Sequence, residues 1–309
     1  MQAQIEKPEI MIAQPSIAIT QPQPIDISLI NLLRQKRRAL IVGINDYHPV
    51  GPGGPDLRGC VNDAKDVANT LNCLRLVPAT PLHMRILTDR NATRNNIING
   101  LKWLIKGAKK GDRLIFTYSG HGSQVYDTSG DDPDGKDETI CPHDYATAGM
   151  IKDDDLRDLF NNVPAGVNLD VVLDSCHAGT GTRELSENPE PVARYIEPPL
   201  DQAYFLEANP LIPTRGIMRH TTKEIDLTKM NHVLWAACRD YQYSYEANLG
   251  GTIRGVFTYS FCKVLRRAGV TIQRGTLEGL VAAYIVSLGY SQIPRLEATW
   301  QSILEPVFT

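Results

Sequence analysis

Several things are scarce in this chain, and each scarcity excludes a class of protein. Charge of one sign is missing. Lys and Arg number 32 against 35 Asp and Glu, a net −3 that offers no basic excess to nucleic acid or an anionic membrane. No apolar run approaches the roughly 20 residues that a bilayer span needs. The N-terminus lacks the basic-then-apolar order of a secretory leader. The six cysteines (60, 73, 141, 176, 238 and 262) have no framework spacing and mostly sit in apolar contexts, which reads as reduced thiols. No internal repeat is present. These absences predict a cytoplasmic protein with no nucleic-acid and no membrane partner.

What remains is an ordinary globular composition, 42% hydrophobic and 22% charged over 309 residues. Residues 1–37 form a Gln-, Pro- and Ile-rich arm without helical period, a candidate pro-segment or latch. A strand is expected at Ala39–Ile44, then a helix near Asn62–Leu74, a strand at Met84–Leu87 and a helix capped by Thr93 running to Gly107. Ile97, Ile98, Leu101, Leu104 and Ile105 are its expected buried face. Two further strands, Arg113–Thr117 and Leu169–Leu173, flank an acidic loop and a helix near Asp154–Asn161. Strand–helix alternation of this kind implies an α/β fold, a mostly parallel sheet with helices on both faces. The first part therefore runs over residues 38–179. Residues 180–230 are Pro-, Glu- and Arg-rich with little periodicity, a long connecting segment. Regular structure resumes in residues 231–309, with a strand at His232–Ala237 and helices near Phe257–Ala268 and Leu277–Leu288.

Two strand ends carry the chemistry. Arg113–Thr117 runs into Tyr118-Ser119-Gly120-His121-Gly122, and Leu169–Leu173 runs into Asp174-Ser175-Cys176-His177-Ala178-Gly179. In an α/β sheet such ends open at the carboxyl edge, where ligands collect. A thiol and an imidazole there make a nucleophile and base pair: Cys176 to attack, His121 to take and return the proton. Gly120 and Gly122 permit close backbone approach. The N–H groups of Gly122 and Cys176 lie beside the reacting atom and are candidate oxyanion donors. Either residue alone reads better as a structural cysteine or an unrelated loop histidine; the pair, each framed by small residues, favours a site. Asp174 lies two residues before Cys176 and so points the same way. A carboxylate so near a thiolate is useful only if something positive comes between them, such as a substrate Arg or Lys. A solvated strand-end acid is the equal alternative.

These two motifs resemble the histidine and cysteine motifs of the caspase-like cysteine peptidases, specifically the metacaspases and their prokaryotic relatives, the orthocaspases. The Gln-Ala-Cys-x-Gly sequence of true caspases is absent, which argues against cleavage after Asp. Gly59-Cys60-Val61-Asn62-Asp63-Ala64 is similar to another segment of the family. The resemblance spans about residues 38–290 and implies a caspase-like fold, with large- and small-subunit-like parts. It also implies cleavage after Arg or Lys, and an S1 pocket lined by Cys60, Asp63, Ser119 and Asp174. Paired acids there would bind a basic side chain by charge-assisted hydrogen bonds and repel an acidic one. Protein or peptide substrates with a basic residue before the scissile bond, and a monomeric state, follow as expectations.

Many metacaspases bind an activating Ca²⁺, and three of the family's ligand positions match Asp137, Asp153 and Asp154. The fourth, seven residues after Cys176, holds Arg183, which would repel a dication. No required cofactor and no metal site are expected. Cys141-x-His143 and Cys176-His177 lack structural zinc spacing. Exposed, irregular chain is where nicking concentrates, so Lys36–Arg38, Arg183, Arg194, Arg215, Arg219 and Lys223 are all candidate self-cleavage positions. A catalytically silent scaffold, a latched zymogen, and an amidase or transpeptidase are the competing readings. Retention of both His121 and Cys176 disfavours the scaffold, and the acids Asp63 and Asp174 disfavour the last.

Overall fold

Short runs rich in β-branched and apolar residues supply the strands, and successive residues join opposite faces of the sheet. In β1 (Arg37–Gly43), Ala39 and Ile41 belong to one apolar cluster and Leu40 and Val42 to another. β3 (Arg113–Ser119) divides likewise, Ile115 against Leu114 and Phe116. A strand that is apolar on both sides must be covered on both faces, and it is. The first cluster takes the apolar stripe of α1 (Cys60–Cys73), namely Ala64, Val67, Ala68 and Leu71, with α5 (Val256–Ala268) and α6 (Arg274–Ser287). The second takes Ile97, Leu101 and Leu104 of α2 (Arg94–Ile105) and Leu156 and Phe160 of α4 (Asp153–Phe160). A four-residue helix, α3 (Tyr145–Ala148), precedes α4. This computed structural model describes residues 35–47, 56–126, 136–176, 192–196, 231–239 and 242–309.

The main sheet has six strands. Besides β1 and β3 these are β2 (Met84–Thr88), β7 (Asn168–Asp174), β9 (Val233–Ala236) and β12 (Arg295–Glu297). Their order is β12-β9-β7-β3-β1-β2, parallel throughout except for β12, which runs antiparallel to β9 at the edge. The mostly parallel α/β sheet with helices on both faces is as the sequence predicts. β9, from the second part of the chain, pairs directly with β7 from the first, so both parts share one sheet.

Two small antiparallel sheets were not foreseen. One joins β4 (Gly122–Tyr126), β5 (Lys136–Ile140) and β6 (Ile151–Lys152). The other joins β8 (Val192–Ala193), β10 (Tyr245–Leu249) and β11 (Thr252–Gly255). These strands are too short for alternation to announce them. The last helix is α7 (Trp300–Leu304), and beyond it Val307 and Phe308 are buried.

Boundary differences have local causes. α1 starts at Cys60, two residues ahead of expectation, because Asn45 Oδ1 accepts the N–H groups of both Cys60 and Val61 at 2.9 and 3.2 Å. A distant side chain thus does what a local cap ordinarily does. α2 keeps its expected cap, Thr93 accepting from Asn96 N, but ends at Ile105; Ile98 and Ile105 are only half-buried. α6 starts at Arg274, whose buried guanidinium reaches the carbonyls of Ser302 and Thr309 at 3.0 and 2.9 Å. The basic run Lys36–Arg38 is built into the fold as well. Arg37 and Arg38 open β1, and Lys36 Nζ donates to the Lys106 carbonyl at 2.9 Å. A central strand is no loop to be nicked, so this self-cleavage candidate is withdrawn. The expected arm up to residue 34, and Arg183, Arg215, Arg219 and Lys223 of the connecting segment, lie outside the described residues.

The register fixes the functional edge. Ser119 and Asp174, the last residues of β3 and β7, are direct partners across the sheet, and Gly43 ends β1 opposite Ser119. His121 and Cys176 each follow two residues later, so the two motifs leave adjacent strands at the same level.

Candidate active site at the carboxyl edge of the sheet

Two tyrosines fix the histidine motif. The His121 N–H donates to Tyr47 Oη at 2.7 Å, and Tyr118 Oη donates to the His121 carbonyl at 2.6 Å. The Tyr47 ring lies 4.9 Å from the imidazole, tilted by 46°. Gly120 is required where it stands: a Cβ there would lie 2.5 Å from both tyrosine hydroxyls. Burial pushes the phenols of Tyr47 and Tyr118 far above the ordinary value, which keeps both as neutral hydrogen-bonding groups. His121 and Cys176 are both buried. The Cys176 sulfur rests on the backbone of Ser244, accepting its N–H at 2.6 Å and lying 3.2 Å from its carbonyl oxygen.

The two expected oxyanion donors converge. Gly122 N–H and Cys176 N–H donate to a single carbonyl oxygen, at 3.0 and 3.1 Å. That oxygen belongs to Arg194. Its side chain fills a charged pocket beside the site, with no solvent exposure. Nη2 meets Asp63 Oδ2 at 2.6 Å and Glu246 Oε2 at 3.7 Å; Nη1 meets Asp174 Oδ2 at 2.9 Å and donates to Ser119 Oγ at 2.8 Å. Ser119 Oγ in turn donates to Asp63 Oδ2 at 2.7 Å. The four residues expected to line a basic pocket, Cys60, Asp63, Ser119 and Asp174, are thus gathered around one guanidinium. Cys60 is buried in the same wall, its thiol pushed up chiefly by burial.

The acids are held in turn. Asp174 accepts from Ser244 Oγ at 2.6 Å and from Thr258 Oγ1 and N at 2.6 and 3.1 Å. Gly255 N–H donates to both oxygens of Asp63 at 3.0 and 3.1 Å. Gly255 is also the pocket floor, since a Cβ there would sit 2.3 Å from Asp174 Oδ2 and 2.6 Å from Arg194 Nη1. Burial raises the Asp63 carboxyl to about 6, against the pull of Arg194 and with a push from Asp174. Burial opposes the Arg194 charge too, but Asp174, Cys60, Asp63 and Glu246 outweigh it and hold the guanidinium firmly protonated.

Five participants escaped the sequence reading: Tyr47, Ser244, Glu246, Gly255 and Thr258. All reach the site from segments far away in sequence. Glu246 accepts from the N–H groups of Arg58 and Gly59 at 2.8 Å each and so anchors the start of α1 as well. A glutamate inside a short apolar strand was the only signal for it.

Away from this edge, Asp137, Asp153 and Asp154 come together, their ligand oxygens within 4.8 Å of one another. The chain's own cations already stand on two of them. Lys152 Nζ lies 2.5 Å from the buried Asp137 Oδ2, and the Arg157 guanidinium pairs with Asp154.

A family model described as the metacaspase, peptidase C14 domain matches residues 37–183. Metacaspase-1 of Mycosarcoma maydis is 32% identical over 295 residues, which cover 86% of this chain and 71% of that protein. Among solved structures, a protein from Geobacter sulfurreducens aligns with a TM-score of 0.63 at 28% identity, over 89% of this chain and 98% of that one. Caspase-1 from Spodoptera frugiperda aligns with a TM-score of 0.54 at 14% identity, over 85% and 86% of the two chains, a likeness of fold alone. No helix among the described residues is long and apolar enough to cross a membrane.

Proposed function

The chain belongs to the metacaspases, a family of cysteine-type endopeptidases, and on that premise we propose that it cuts polypeptides after Arg or Lys, with Cys176 as nucleophile and His121 as general base. One observation carries this reading. A basic side chain sits between Asp63 and Asp174 while its own carbonyl oxygen takes the N–H groups of Gly122 and Cys176. A substrate arginine or lysine bound in this way has its carbonyl oxygen on the N–H group of the nucleophile's own residue.

The chemistry then runs in two halves. His121 takes the Cys176 proton and the sulfur adds to the carbonyl carbon. Negative charge moves onto the carbonyl oxygen, where the two N–H dipoles are already aimed. Collapse expels the amine, which leaves with the proton held by His121. Water, activated by the same imidazole, cleaves the thioester, releases the new carboxyl terminus and restores the thiol. Asp63, Asp174 and Glu246 select the basic side chain, because its guanidinium or ammonium would take the place that the Arg194 guanidinium holds among their buried charges. Of the six thiols, five are buried, which fits a reducing, cytoplasmic setting. No calcium requirement is part of the proposal, since Lys152 and Arg157 do the neutralising in the Asp137–Asp153–Asp154 cluster.

The test is a fluorogenic peptide panel with Arg, Lys, Asp or Ala before the scissile bond, run on the wild type and Cys176→Ala, each with calcium and with chelator. Cleavage of the Arg and Lys peptides by the wild type alone, equal in both lanes, is expected. Turnover by Cys176→Ala, or a preference for the Asp peptide, overturns the assignment. Loss of turnover in chelator overturns the calcium part alone.

A further inference from the structure

Arg194 is not a substrate that diffused in. It belongs to the chain itself, and its backbone is held as firmly as its side chain. Just before it, β8 adds to β10 as an antiparallel strand, Ala193 opposite Tyr245 and Val192 opposite Glu246. The Arg194 N–H donates to the Ser244 carbonyl at 3.1 Å, and the Arg194 carbonyl takes the N–H groups of Gly122 and Cys176. Just after it, Tyr195 bridges Gly122 in parallel sense, and the Ile196 N–H donates to the Gly122 carbonyl at 3.0 Å. Five consecutive residues thus run extended through the cleft, gripped on both sides of Cys176. Recognition of a peptide by strand addition, with a side-chain pocket for specificity, looks like this.

We propose that Val192–Ile196 is a tethered substrate: it fills the S1 pocket of the unprocessed chain, and Arg194–Tyr195 is the peptide bond that the chain cuts in itself. The inference deepens the peptidase reading and rests on it. A purely structural arginine would explain the ion pairs with Asp63, Asp174 and Glu246. It would not explain why the carbonyl of that same residue occupies the paired N–H donors next to the thiol. Nor would it explain why the strand pairing continues past the arginine on the far side. Backbone and side chain are together disposed as the residue preceding a scissile bond should be.

The step balances with water as the sole co-reactant. The Cys176 sulfur bonds to the Arg194 carbonyl carbon, and the bond to the Tyr195 nitrogen breaks. That nitrogen leaves as an α-amine carrying the proton from His121. Water then splits the thioester, leaving Arg194 with a free carboxylate. Until this happens, a substrate arginine must compete with one that is covalently attached and already seated. An intramolecular competitor has a high effective concentration, so the uncut chain should be nearly silent toward other substrates.

The experiment follows the purified full-length chain by intact mass and N-terminal sequencing, with activity on an Arg peptide read in parallel. Wild type should yield a fragment beginning at Tyr195. The rate should not depend on protein concentration, and peptide turnover should rise as the fragment accumulates. Tyr195→Pro spares the bridge, which uses the N–H groups of Gly122 and Ile196 and not that of residue 195. It should keep the arginine seated, block the cut and leave the chain uncut and silent. Arg194→Lys should still be cut. Arg194→Ala should lose the Tyr195 fragment yet turn over the Arg peptide from the start, its pocket being open. If that variant fails to fold, wild type and Tyr195→Pro decide the matter. A wild type that cleaves the Arg peptide but never produces the Tyr195 terminus overturns this proposal and leaves the peptidase reading standing. A Tyr195→Pro chain that is uncut and fully active overturns the occlusion. A folded Arg194→Ala chain that cleaves nothing overturns the peptidase reading itself.

Discussion

The Asp63 carboxylate and the Arg194 guanidinium meet at 2.6 Å, from positions 131 residues apart, with neither side chain open to solvent. A buried pair of this kind gains little net stability, because the desolvation of both ions offsets their attraction. Here it is further unbalanced. Asp174 and Glu246 share the same guanidinium, so acid exceeds base in a dry pocket. Such an arrangement is poor as a structural brace and good as a receptor for cations.

The first prediction concerns pH. An unfolded aspartate releases its proton near 3.8, whereas Asp63 holds its proton to about 6. Between those values the folded chain binds the extra proton, so the Asp63 contribution to stability falls as pH rises through that window. The charge that attracts a basic residue grows over the upper part of the same window. KM for Arg peptides should therefore climb as pH drops from 7 toward 5, and Asp63→Asn should flatten that climb while raising KM throughout. A pH profile of KM that is the same in both proteins would show that another group controls the pocket.

Gly255→Ala should damage the pocket sterically, since the new methyl would press on both Asp174 and the incoming guanidinium. Overpacking of this kind costs about 1–3 kcal/mol, equivalent to roughly tenfold or more in kcat/KM for Arg peptides. Wild-type kcat/KM with a folded variant would remove Gly255 from the pocket floor.

Tyr47→Phe takes away the acceptor of the His121 N–H. Removing the acceptor of a buried donor costs about 1–3 kcal/mol, and the histidine loop loses one of the hydrogen bonds that hold it. We expect a lower melting temperature and a kcat reduced by about tenfold, with KM unchanged because the acids are untouched. Steady-state kinetics would contradict this if KM moved and kcat did not.

His232 supplies an acid-sensitive element remote from the catalytic question. Burial pushes its pKa from 6.5 down to about 4, and its ring packs 5.2 Å from Phe160. The unfolded chain takes up this proton near 6.5 and the folded chain refuses it until about 4. The stabilisation is thus complete above 6.5 and is lost as pH falls through that interval, by an amount on the order of 3 kcal/mol. His232→Phe should narrow the gap between melting temperatures at pH 7 and pH 5. An unchanged gap would mean that His232 is not the group responsible.

How much of this was legible in the sequence depends on how local the signal was. Cys176, His121, Asp174 and Ser119 stand at strand ends, where an apolar run stops against small residues, and the register of β3 and β7 then brings them together without further help. Asp63 was legible as a pocket residue only through the resemblance of its segment to the family's; its place at the start of a periodic helix spoke for no more than a first-turn acid. Glu246, Gly255 and Thr258 were not, because their roles exist only once a distant element folds over the pocket; Gly255 meets Asp63 across 192 residues. Arg194 was one of several basic residues in a stretch without periodicity. Nothing in a single chain distinguishes a strand that completes itself on another strand from an irregular loop.

The pairing of β9 with β7, with β12 outside it, has a consequence for a chain severed after Arg194. The sheet has no seam at the nick. One piece contributes β1, β2, β3 and β7, the other β9 and β12, and the shared ladder and apolar clusters keep them together. Losing the covalent link would change the order of the unfolding reaction, since melting would then release two molecules where it had released one. The nicked protein should migrate as one particle in its native state, and its melting temperature should rise with dilution reversed, that is, with increasing protein concentration. The intact chain should show no such dependence.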